Sequence, residues 1–194
     1  MPGFWNSLFA RAAQVRADQP VTEEDWNEAA SLPLFYGLSS DEMLRLRGLA
    51  GQLLADKTLT PVSAAVLSGV ACAGLALQAT LPILNLGYPV YRGWREIILY
   101  PGEFVPDREV TDDFGIVHRV RQPLSGEAWE GGPLVLSLDD VAASGHCQGY
   151  NVVIHEFAHK LDMANGDANG FPPLHRGMDR AAWARAFSEA YADF

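Results

Sequence analysis

Apolar positions recur at helical spacing through roughly the first half of the chain. Residues 21–30 (VTEEDWNEAA) are acidic and predict a short helix. Residues 32–38 (LPLFYGL) form a connector broken by Pro33 and Gly37. Ser39 or Ser40 can cap a following helix, with Asp41 and Glu42 in the first turn, where negative charge is favoured. Leu44, Leu46, Leu49, Leu53 and Leu54 give that helix its apolar face. A long run over 62–86 then predicts a buried helix. After it the period shortens. Residues 96–100 (EIILY), 115–120 (GIVHRV) and 133–138 (PLVLSL) are short β-rich runs bounded by Pro, Gly or charge, and they predict strands. Helical patterning returns at 151–161 (NVVIHEFAHKL), with Asn151 as N-cap. It returns again at 179–194, where Trp183, Phe187 and Tyr191 are spaced by four. Residues 165–173 (NGDANGFPP) exclude regular structure. Helices, then strands, then helices indicate an α+β fold.

Composition narrows this picture. The run over 62–86 is long enough to suggest a membrane span. Gln78, Pro82, its Ala, Gly and Ser content and the lack of flanking Lys or Arg favour a core helix instead. The 194 residues suit one domain, 1–194, with a helical N-terminal part over about 1–90. The formal net charge of -10 repels phosphate backbones, so no nucleic-acid partner is expected. Two cysteines, Cys72 and Cys147, make no disulfide framework. The first twenty residues lack the basic, apolar and small-residue order of a secretory signal. A cytoplasmic protein without a membrane partner is the expectation.

The chemistry is concentrated in His155-Glu156-Phe157-Ala158-His159, an H-E-x-x-H pattern. Residues four apart stack on one helix face, so the two imidazoles can bind one Zn²⁺. Glu156, one step round the helix, can accept a proton from the attacking water. Val152, Val153, Ile154, Phe157, Ala158 and Leu161 make the rest of the helix apolar. The three polar side chains are therefore expected to face the interior, where a metal would satisfy them.

Residues 149–174 (GYNVVIHEFAHKLDMANGDANGFPPL) resemble the active-site segment of the Mlc titration factor A family of zinc metallopeptidases. Residues 98–105 (ILYPGEFV), 124–141 (LSGEAWEGGPLVLSLDDV) and, more loosely, 38–57 extend the resemblance over about 32–194. The resemblance implies a zincin-type fold of the gluzincin class with an N-terminal helical part. It implies aminopeptidase-type activity on a peptide or protein substrate, and binding of Mlc, a repressor of glucose-uptake genes. His155 and His159 match the zinc ligands and Glu156 the catalytic base. Leu138 stands where the family usually has Trp. The family's third ligand lies on a later helix, in a segment similar to N/D-P-A-E-F-F, which these 194 residues lack. The expectation is a fragment or truncated product whose third ligand lies beyond residue 194. Glu189, in an E-x-x-x-D pattern with Asp193, is a minor local candidate.

Weaker candidates surround this centre. Tyr150, Tyr191 and His175 could donate to an oxyanion but read as structural. The strand over 133–138 is either a core strand or a cleft edge that pairs with substrate. Asp162 either supports a ligand imidazole or caps the following loop. His118 and His146 read as non-ligands, Cys147 lacks a base, and Asp112-Asp113 and Asp139-Asp140 read as turn residues. A second class of function stands beside the enzyme: a catalytically impaired zincin-like module that sequesters a transcriptional regulator.

Overall fold

The computed structural model describes residues 21–62, 65–104, 108–111, 117–120 and 124–193, with 108–111 and 117–120 as backbone. The first helix, α1 (Glu23–Ala29), opens with a capping box between Thr22 and Asp25. The second, α2 (Ser40–Asp56), opens with another between Ser39 and Glu42. Each box satisfies orphan amides at both of its ends. Helix α2 buries Leu46, Ala50 and Leu53, while Leu44, expected on that face, is exposed.

The run over 62–86 is not one helix. Strand β1 (Thr58–Pro61) precedes it, and helix α3 spans only Gly69–Thr80, capped by Ser68. A 3-10 turn at Leu81–Ile83 follows, with Pro82 inside it. Pro82 cannot donate to a helical ladder, which explains the change of pitch. From Cys72 to Thr80 every residue of α3 is buried. Small residues let neighbours close in: a Cβ at Gly69 would collide with the Asp25 carboxylate, and one at Gly74 would lie 4.0 Å from Ala29 Cβ.

The main sheet has the order β1-β2-β6-β5. Strands β1, β2 (Glu96–Tyr100) and β6 (Leu134–Ser137) are parallel, and β5 (Gly126–Ala128) runs antiparallel to β6. Strands β3 (Arg108–Thr111) and β4 (Val117–Val120) form a separate antiparallel pair. The sequence pattern predicted β2, β6 and β4 and missed β1, β3 and β5. Alternation sorts the sheet's two faces. Leu59, Ile97, Leu99, Leu134 and Leu136 join the main core with α3, and Val62, Ile98, Phe104 and Val135 form a second cluster.

Helix α4 (Leu138–Ala143) follows β6 directly. Asp139 and Asp140 therefore lie in a helical first turn, not in the solvated turn expected of them. Helix α5 (Val152–Asp162) packs against β5, β6 and α3 and continues into a 3-10 turn, Met163–Asn165. Helix α6 (Arg180–Asp193) has no buried residue. It touches the loop after α5 through Trp183, whose Nε1 donates to the Gly170 carbonyl at 3.1 Å. Gly170, at φ +80°, occupies the left-handed region that a side chain disfavours. No helix among the described residues is long and apolar enough to cross a membrane.

Candidate metal centre

Helix α5 is held in place at its first turn. Asn151 caps it, its Oδ1 accepting from the Ile154 amide at 2.8 Å. The Asn151 Nδ2 donates to Gln78 Oε1 at 2.7 Å, which ties the cap to the buried helix α3. The Val152 amide donates to Ser144 Oγ at 3.0 Å. Phe157, fully buried, meets Tyr91 edge-on at a ring separation of 5.2 Å and Trp94 at 5.8 Å. These contacts set the rotation of the helix, and so decide where its polar side chains point.

Those side chains form two pairs spaced by four. His155 and His159 lie on one face, with ring centroids 4.8 Å apart and planes nearly perpendicular. Their Nε2 atoms converge to 3.2 Å. Two metal–nitrogen bonds of about 2.0–2.1 Å meeting near the tetrahedral angle would separate the nitrogens by about 3.3–3.4 Å. The pair therefore fits a small tetrahedral cation. Partial desolvation against the helix, and secondarily the neighbouring His159, hold the His155 imidazole below the usual histidine range even though the side chain reaches solvent. That favours the neutral ring that a metal needs. The face is more open than the apolar pattern suggested, because His155 is exposed and His159 half-buried.

Glu156 and Lys160 form the second pair, and both are buried. They lie under the β5–β6 hairpin. Lys160 Nζ donates to the carbonyls of Trp129 and Gly132, at 2.5 and 2.8 Å, and sits 4.7 Å from the Trp94 ring centroid. Burial, and then the nearby Lys57 charge, bring its pKa down to about 8. Lys57 Nζ also lies over the Trp94 ring, 4.1 Å from its centroid. At the far end of the hairpin, Gly126 packs directly on Glu156: a Cβ there would lie 2.6 Å from Glu156 Cγ and 2.7 Å from Oε1.

The remaining candidates are dispersed. Among the described residues no group of three or more His, Cys, Asp or Glu side chains gathers around a common point, so Glu189, exposed on α6, does not join the histidines. Tyr150 directs its hydroxyl to Asp140 Oδ1 at 3.0 Å. Tyr191, His175, His146 and Cys147 are exposed. Asp162 takes the loop-capping role, its Oδ2 accepting from the Gly170 amide at 2.7 Å. Strand β6 lies between β2 and β5, so it offers no cleft edge; that edge belongs to β5. Asp112 and Asp113 lie outside the described residues, as does the side chain of His118.

Pattern reading missed Gly126 and Lys160. Lys160 had a legible signal, since it follows Glu156 by four and must share its helix face. Gly126 had none beyond being a glycine near a short strand.

The family model for glucose-regulated metallo-peptidase M90 matches residues 8–194. The chain belongs to the M90 metallopeptidase family. Relatives named Mlc titration factor A agree with this assignment. The Yersinia enterocolitica protein is 42% identical over 171 residues, which is 87% of this chain and 64% of that protein. The Serratia proteamaculans protein is 44% identical over 166 residues, 85% and 63% of the two chains. This M90 chain thus spans a little under two thirds of the length of the relatives it matches. Membership of a metallopeptidase family implies a metal cofactor, and the histidine pair on α5 is where the described residues suit one.

Proposed function

We propose that this chain carries the zinc-binding and proton-transfer half of a zincin-like peptidase site. The observation that carries the reading is the 3.2 Å convergence of the His155 and His159 Nε2 atoms beside a buried Glu156, in a metallopeptidase-family chain. His155 and His159 would hold Zn²⁺, which supplies Lewis acidity toward water and a peptide carbonyl. Glu156 accepts the proton of the attacking water and returns it to the leaving amine. Its burial limits competition from bulk water and keeps the carboxylate beside the reacting atoms. Among the described residues β5 is the outermost strand on its side of the sheet, where an extended peptide can align. Resemblance to the family supports an aminopeptidase-type reaction. It also supports a third ligand, a Glu, supplied from outside the residues described.

The relatives' name, Mlc titration factor A, supports a second, compatible role, binding of an Mlc-like regulator. The two roles separate on one substitution. Glu156→Gln should leave zinc content unchanged by elemental analysis and lower hydrolysis of a short peptide amide by about 10²–10⁴-fold, the usual contribution of a positioned acid–base group. His159→Ala should lose the metal as well. Repressor binding should survive Glu156→Gln. If that variant hydrolyses peptides at the unaltered rate, the enzyme reading is wrong and the binding role stands alone.

A further inference from the structure

Gly126 occupies an unusual place. It lies on the edge strand β5, paired with Leu136 of β6. Leu136 faces the main core, so the missing side chain at Gly126 would point toward α5. The space it leaves is filled by Glu156: a Cβ at this position would meet Cγ at 2.6 Å, Oε1 at 2.7 Å and Cδ at 2.8 Å. Real Cβ contacts do not come that close, so either the carboxylate or the strand must shift. Glu156 is only 6% exposed and has little room to swing aside. The strand is not free to retreat either. Lys160, one turn along the same helix, grips the other end of the hairpin through the Trp129 and Gly132 carbonyls. Ala128, two residues on from Gly126 and on the same face, is also small.

We propose that Gly126 is a positioning residue for Glu156: the bare backbone of β5, held on α5 by Lys160, forms the wall that fixes where the carboxylate sits. This rests on the reading of Glu156 as the proton acceptor. A glycine at this point lets the edge strand and the carboxylate share one narrow space, so the groups that pair with substrate and the group that moves its proton keep a set separation. Misplacement of a reacting group by about 1 Å is enough to cost 10²-fold in rate.

The test is a double-mutant cycle between Gly126→Ala and Glu156→Asp, read by thermal unfolding and by peptide hydrolysis. Overpacking at Gly126 should lower Tm by about 5 °C, and shortening the acid should recover much of that loss, because the retracted carboxylate leaves room for the methyl group. In hydrolysis, Gly126→Ala should lower kcat by about 10²-fold with KM nearly unchanged. The double variant should then lose less than the product of the two single losses. Zinc content should equal that of the unaltered protein in all three. If Gly126→Ala alone fails to fold, a folded double variant still supports the proposal, and two unfolded variants overturn it. Strictly additive Tm shifts also overturn it. Full activity in Glu156→Gln would remove the proton-acceptor reading on which the proposal rests, while leaving the Tm cycle to report the contact by itself.

Discussion

Tyr91 shows how a single side chain away from the histidine pair supports the helix that carries it. Its hydroxyl donates to the Ala79 carbonyl at 2.8 Å, and its ring packs on Phe157 of α5. Burial, and then the neighbouring Tyr88, push its pKa far above the usual tyrosine value. The folded state therefore keeps this proton at pH values where the unfolded chain releases it. Such a group stabilises fully below the unfolded pKa of about 10, and its contribution is lost as pH rises beyond that. Tyr91→Phe should cost about 1 kcal/mol at pH 7, the net value of one hydrogen bond. It should also make the alkaline loss of stability shallower. Urea unfolding at pH 7, 9 and 11 measures both, and an unchanged alkaline slope would contradict the assignment.

Helix α5 depends at the element scale on a tie to α3. Gln78 is 2% exposed and its side-chain oxygen accepts from Asn151, whose own oxygen caps α5. Gln78→Leu leaves the Asn151 amide without that partner, and Asn151→Ala removes the cap itself. Each should destabilise by about 1–2 kcal/mol. Because both break one network, the double variant should lose less than the sum. Chemical denaturation of the three variants decides this, and additive losses would show that the tie and the cap act separately. Two helix starts were readable from capping chemistry, since Ser39 and Asn151 cap as their positions suggest, whereas the caps Ser68 and Ser137 were not foreseen. The strands were less so. β5 is three residues long and contains Gly126 and Glu127, so it carries no apolar alternation, and only its pairing with β6 makes it a strand.

Among the described residues at the scale of the whole molecule, the four-stranded sheet divides the packing. One face carries α3 and α5 in the main core, and the other carries the smaller cluster around Ile98 and Phe104. The histidine pair lies on the more open side of α5, with His155 exposed and His159 half-buried. Binding of an ion to the folded state but not to the unfolded chain raises stability by mass action, by about 2.7 kcal/mol at 100 times the dissociation constant. In a chain of this size that corresponds to a rise in Tm of about 5–10 °C. Zinc titration followed by thermal unfolding should show such a rise, and His155→Ala should remove it. An equal rise in that variant would place the binding site elsewhere.

Spacing along the chain was sufficient to bring the His155 and His159 rings together, because a helix of fixed pitch stacks residues four apart whatever surrounds it. It was also sufficient for the α+β order and for the caps at Ser39 and Asn151, which are local. Contacts between distant segments were another matter. That β6 is enclosed, that β5 is the edge, that Gly126 meets Glu156 and that Lys160 reaches Trp129 all depend on which strand pairs with which and on how α5 is rotated over the sheet. Those relations arise only when α3, α5 and the hairpin pack together, since no short-range pattern encodes the distance between residues thirty positions apart.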